Sequence, residues 1–171
     1  MRNGVKRCLL VLCSLGLLFA FDSALAKAYN SPVGYWNQID DATKKVHSII
    51  RITKAKNGTL QGKIMGGFKL NGKMPKVYCT GCPKPFTNKH MLDITLLWGF
   101  KYDPQNHKWE GGRILDPDGG SVYRCTMALF NGGKSLKVRG YIGISLFGRT
   151  QVWQRIPPSR VKSSVAKSIR R

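Results

Sequence analysis

Ser121-Val122-Tyr123-Arg124-Cys125-Thr126-Met127-Ala128-Leu129-Phe130 runs into Asn131-Gly132-Gly133. The chain then returns along Ser135-Leu136-Lys137-Val138-Arg139-Gly140-Tyr141-Ile142-Gly143-Ile144. Tyr123, Cys125, Met127 and Leu129 fall on one face of the first run. Leu136, Val138 and Ile142 oppose Lys137, Arg139 and Tyr141 on the second. A side-chain period of two belongs to a strand with one buried face. An Asn-Gly turn between two such runs signals an antiparallel hairpin.

The same pattern continues in both directions. Downstream, Gly148 precedes a strand from Arg149 to Arg155, and Pro157-Pro158 ends it because neither proline can donate to a ladder. Upstream, Asp116-Pro117-Asp118-Gly119-Gly120 is a turn after a strand from Lys108 to Leu115. Pro104-Gln105-Asn106 separates that strand from Leu92 to Lys101, with Leu92, Ile94, Leu96, Trp98 and Phe100 expected on one face. Asn57-Gly58 joins Val46 to Thr53 with Thr59 to Met65, and Gly34 to Asn37 comes first. One long irregular connection, Gly66 to His90, interrupts the series. Eight short strands without a helical period predict an all-β fold, an eight-stranded antiparallel up-and-down barrel that closes on itself and leaves no free edge.

The chain has 171 residues, one domain's worth, which excludes a multidomain enzyme. Arg2, Lys6 and Arg7, the apolar stretch Leu9 to Phe21 and the small-residue site Ala24-Leu25-Ala26 read as an export signal over residues 1–26. The apolar stretch is too short to span a bilayer, which takes about 20 residues. The net charge of +21 falls to +19 when three basic groups and one acidic group leave with that segment. The expected product is a barrel domain over residues 27–158 with a basic, flexible tail over 159–171, located in the periplasm or secreted.

In a closed barrel the first and last strands are neighbours. Trp36 in Gly34-Tyr35-Trp36 can therefore meet Arg155 and stack as a cation–π pair. A Gly-x-Trp on the first strand with an Arg on the last resembles the signature of the calycins, the lipocalin-like superfamily. Trp109-Glu110-Gly111-Gly112-Arg113-Ile114-Leu115-Asp116-Pro117, Leu136 to Gly143 and Leu146 to Arg155 are similar to a family of small exported bacterial proteins known only as a domain of unknown function. The resemblance covers residues 32 to 156. It implies a lipocalin-like barrel and brings no catalytic residues with it.

Cys79-Thr80-Gly81-Cys82 lies in the long loop, and Cys125 is the third cysteine after residue 26. Three chemistries fit: a redox pair, a metal site completed by His90, or a structural disulfide, which an oxidising compartment favours. Chain entropy assigns about 2 kcal/mol to a Cys79–Cys82 bridge and about 4 to one closing on Cys125. Pro83 after Cys82 excludes covalent haem attachment. No nucleophile–base pair is visible, and the aspartates sit in turns that explain them. No catalytic residue, metal or cofactor is expected.

A binding role is expected instead. Trp98, Phe100, Tyr123 and Met127 are the candidate ligand contacts inside the barrel. The leading expectation is a small apolar or amphipathic ligand. The alternative is contact with anionic lipid or envelope polymers through Lys137, Arg139, Tyr141, Arg170 and Arg171. A stacking, basic strand face would also suit single-stranded nucleic acid, but a solvated outer face is the simpler reading, and no specific nucleic-acid partner is expected.

Overall fold

The computed structural model describes residues 30–169. The expected export signal, Arg170 and Arg171 lie outside these residues. Eight strands appear in chain order: β1 (Gly34–Ile39), β2 (Val46–Lys54), β3 (Leu60–Gly67), β4 (Thr95–Asp103), β5 (Lys108–Asp116), β6 (Ser121–Phe130), β7 (Ser135–Tyr141) and β8 (Gly148–Ile156). Each pairs antiparallel with its neighbours, and β8 returns to β1 to close the barrel. The closing register sets Tyr35 opposite Ile156, Trp36 opposite Arg155 and Asn37 opposite Gln154.

Turn chemistry fixes the hairpins. Asn57 bends the chain between β2 and β3 by accepting from the backbone N–H of Thr59 at 3.1 Å and its hydroxyl at 2.8 Å. Asp103 does the same between β4 and β5, taking the Gln105 N–H at 2.9 Å. Because the strands alternate in direction, the β2–β3, β4–β5 and β6–β7 turns gather at one end. The other four connections, the long β3–β4 segment among them, gather at the opposite end.

Strands β4 and β5 depart from simple alternation in a way that reshapes the core. Gly99 in β4 (φ 81°) and Gly111 in β5 (φ 73°) both adopt the left-handed conformation and sit back to back. Across β3–β4, the two-residue step from Gly62 to Leu60 is matched by a three-residue step from Leu97 to Phe100. Across β5–β6, the three-residue step from Trp109 to Gly112 is matched by a two-residue step from Met127 to Cys125. Each extra residue is a bulge, and a bulge swaps the faces of everything before it relative to everything after. Leu97 and Phe100 therefore both point inward, against Gly62 and Gly112 respectively. Trp98, expected to share a face with Phe100, points the other way, whereas Leu96, at a second register shift between Gly62 and Lys63, lines the barrel's cavity. Trp98 is covered by the β3–β4 segment, where Phe86 packs on it with ring centroids 5.4 Å apart.

Other boundaries shift as well. Residues Met91–Asp93 form a single 3-10 turn rather than the start of a strand, and β7 stops at Tyr141 instead of Ile144. The segment expected as a flexible tail instead folds back. Pro158–Arg160 makes a 3-10 turn, Val161–Lys167 forms α1, and Ile169 exchanges backbone hydrogen bonds with Gly67 at 3.1 and 2.8 Å. Val161 and Val165, one turn apart on α1, bring apolar side chains toward Tyr35 and Met65 on the barrel's outer wall.

Candidate ligand cavity

The barrel is packed at one end and hollow at the other. At the packed end Trp36, Ile52, Phe100, Met127, Leu136 and Trp153 are buried almost completely. Arg155 seals it. Its guanidinium carbon lies 4.2 Å from the centroid of the Trp36 ring. Its nitrogens donate to the carbonyls of Gly133 (2.7 Å), Val33 (2.8 Å) and Ser31 (2.7 Å), and Trp36 donates its indole N–H to the Pro32 carbonyl at 2.8 Å. One side chain thus ties the segment before β1, the β6–β7 turn and the last strand together.

Above this plug lies a cavity of about 890 Å3, a volume in the range that holds one small molecule. Its walls carry Ile64, Ile114, Tyr123, Val138 and Gly140. Its floor is polar, with Gln38, Ser48 and Gln151 on inward positions of three strands. The Trp153 indole, a donor only, points at Gln151 Oε1 at 3.0 Å. The same oxygen accepts from Gln38 Nε2 at 3.2 Å, and Gln38 Oε1 in turn accepts from the Ser48 hydroxyl. That chain fixes both amide orientations and leaves the Gln151 amide nitrogen as a donor for whatever fills the space.

The mouth is built by loops. Phe68, Met74, Pro75 and Val77 from the β3–β4 segment overhang it. Lys76 fastens that segment to the β5–β6 turn, donating to the Pro117 carbonyl at 3.2 Å and pairing with Asp118 at 3.5 Å. Asp40 stands at the rim, and hydrogen bonds from the Thr43 side chain and backbone hold its carboxyl below the usual range. Arg149 pairs with Asp41 across the β1–β2 and β7–β8 connections at 2.7 Å.

The four residues expected to touch a ligand separate. Tyr123 lines the cavity. Phe100 and Met127 belong to the packed plug, each about 1% exposed, and Trp98 is on the outer wall under Phe86. Gln38, Ser48 and Gln151 were missed, although each is a polar residue at an inward strand position, the available signal. Of the surface candidates, Lys137 is exposed and Tyr141 reaches the rim. Arg139 is occupied with the β7–β8 loop, donating to the carbonyls of Ser145 (2.6 Å) and Leu146 (3.1 Å) and to the Thr150 hydroxyl (2.7 Å).

Cys79 and Cys82 form a disulfide. Both are buried, at 0% and 5% exposure, so the bridge is packed within the loop and not presented to a partner thiol. Cys125 is a free thiol inside the barrel, and burial pushes its pKa up to about 12. His90 caps the 3-10 turn by accepting from the Leu92 N–H at 3.2 Å and stacks edge-on with Tyr78. Among the described residues, no group of three His, Cys, Asp or Glu side chains could hold a metal ion.

A closed eight-stranded antiparallel barrel with its Trp–Arg seal and open cavity has a lipocalin-like fold. Residues 34–155 match the family described as "Uncharacterized protein conserved in bacteria (DUF2147)", and the chain belongs to that family. Among solved structures, it is similar to one described as "Protein HP1028 from the human pathogen Helicobacter pylori belongs to the lipocalin family". The superposition has a TM-score of 0.65 over 82% of this chain and 92% of the other, at 18% identity. That likeness concerns the fold. No curated protein matches the sequence.

Proposed function

We propose that this protein is an exported binding protein, periplasmic or secreted, that holds one small amphipathic molecule in the open half of its barrel. The cavity of about 890 Å3 carries the reading. Its walls are apolar and its floor offers the amide donor of Gln151, so a suitable ligand has an apolar body and an acceptor such as a carbonyl or carboxyl group at its inner end. The lipocalin-like fold supports a ligand-binding role.

The test is displacement of a probe. 1-Anilinonaphthalene-8-sulfonate should brighten and shift to the blue in the presence of the protein. Gly140→Leu should abolish that signal, because a Cβ at Gly140 meets only ordinary contacts (Ile114 Cγ2 at 3.5 Å) and a longer chain extends into the cavity. Organic extraction of protein purified from its native host, followed by mass spectrometry, identifies the occupant. An unchanged dye signal in Gly140→Leu refutes the cavity as the site. Export is checked separately, by whether the recovered protein begins at Lys27.

A further inference from the structure

The β7–β8 loop exposes four large apolar side chains within six residues: Ile142 (70%), Ile144 (62%), Leu146 (76%) and Phe147 (71%). Single exposed apolar residues are common on soluble proteins, but a contiguous cluster marks a contact site. The cluster is continuous with the cavity mouth, which Ile142 and Phe147 help to line, and Met74 at 45% exposure stands on the facing segment.

The loop's backbone is prepared for an apolar medium. Carbonyls that enter such a medium must be hydrogen-bonded within the protein. Arg139 already serves the carbonyls of Ser145 and Leu146, and Arg124 donates to that of Gly143 at 3.4 Å. The Ile144 carbonyl accepts the Phe147 N–H at 3.2 Å. Two guanidinium groups thus stand behind an apolar tip and satisfy it from the barrel side.

Charge selects the occupant. Asp41 and Asp118 at this end are already paired with Arg149 and Lys76. Asp40 and Asp116 are engaged in their own turns. Arg124, Arg139 and the exposed Lys69 and Lys73 leave this end cationic. A second copy of so basic a chain would be repelled, whereas a bilayer rich in anionic lipid offers both the apolar interior and the opposite charge.

We infer that the β7–β8 loop is a membrane-docking tip that seats the open end of the barrel on an anionic lipid surface. Leu146 and Phe147 enter the acyl boundary, and the basic groups behind them contact headgroups. Docked this way, the cavity mouth faces the bilayer, so an amphipathic ligand passes between lipid and protein without crossing water. Docking itself does not depend on the cavity being filled, and its failure would leave the dye test of ligand binding standing.

The experiment uses the full chain expressed with its N-terminal segment, so that any processing proceeds. Vesicles of phosphatidylcholine mixed with phosphatidylglycerol are compared with pure phosphatidylcholine in a flotation assay. The wild type should float with the anionic vesicles only. Leu146→Asp combined with Phe147→Asp should weaken this by about tenfold or more, with the circular-dichroism melt unchanged. In Leu146→Trp the added indole should be quenched by brominated anionic lipid, which reads insertion even if the double variant folds poorly. Equal binding by the double variant, or no quenching, would mean that charge alone drives contact and would overturn the inference. So would a wild type that ignores anionic vesicles, or a dimer that the double variant makes monomeric.

Discussion

The ring of Phe100 lies against the backbone of Gly112 so closely that a Cβ there would come within 2.4 Å of its edge. The two residues follow the paired bulges at Gly99 and Gly111, so the bend of both strands and the filling of the barrel's packed end depend on one contact. Gly112→Ala should destabilise by about 1–3 kcal/mol through overpacking, read as a lower urea midpoint. Adding Phe100→Leu should return part of the loss. A Gly112→Ala protein as stable as the wild type would mean that the ring has room to move.

Trp36 and Arg155 should fail differently. Trp36→Ala removes a fully buried ring and should cost about 3–5 kcal/mol. Arg155→Lys keeps the charge, but an ammonium cannot present the planar fork that reaches three separate carbonyls. It should cost about 1–3 kcal/mol. If Arg155→Lys unfolds at the wild-type midpoint, the seal rests on charge over the ring and not on those carbonyls.

Thiol counting tests the cysteines. Under denaturing, non-reducing conditions a chain beginning at residue 27 should show a single free thiol, Cys125, which should stay unreactive in the native state. Three free thiols would refute the bridge. Burial raises the Cys125 pKa from 9.0 to about 12, so the folded state keeps a proton that the unfolded state releases. The resulting stability is complete below pH 9 and is lost as pH rises toward 12. Cys125→Ala should show a shallower alkaline loss of melting temperature than the wild type.

Charge predicts salt dependence. The full chain at +21, or +19 without residues 1–26, should be retained on heparin and elute over about 50 to 300 mM salt, where screening shortens the reach of surface charge. Truncation after Pro158 removes five basic groups but also the helix and the Ile169 bridge to Gly67. Earlier elution should therefore come with a lower melting temperature. Weaker retention with no thermal effect would show that the helix covers nothing of consequence.

Much of the barrel was legible, because alternation such as Tyr123, Cys125, Met127 and turn pairs such as Asn57-Gly58 act locally. What failed was non-local or hidden by a stronger signal. Strict alternation through Trp98 assumes no extra residue, and only pairing with β3 shows that Gly99 adds one. The C-terminal helix was masked by its own charge: the basic residues suggested a tail, while Val161 and Val165, four apart, carried a weaker helical signal. For the cavity, large side chains drew attention as ligand contacts, yet Phe100 and Met127 fill the plug, Trp98 lies on the outer wall, and Tyr123 alone of the four lines the space. The space remains where inward positions hold small or polar residues, Ser48 and Gly140 among them.

Closure through Trp36 and Arg155 also sets an order of events. The two residues are 119 positions apart, and such distant pairing forms slowly because chain entropy opposes it until both ends are present. The first strand must wait for the last. Until β8 arrives, β1 has one bare edge, which is a template for joining another chain. Fragments that stop short of Gly148 are therefore the aggregation-prone species, and the strand Gly148–Ile156 converts them into a molecule with no edge to offer.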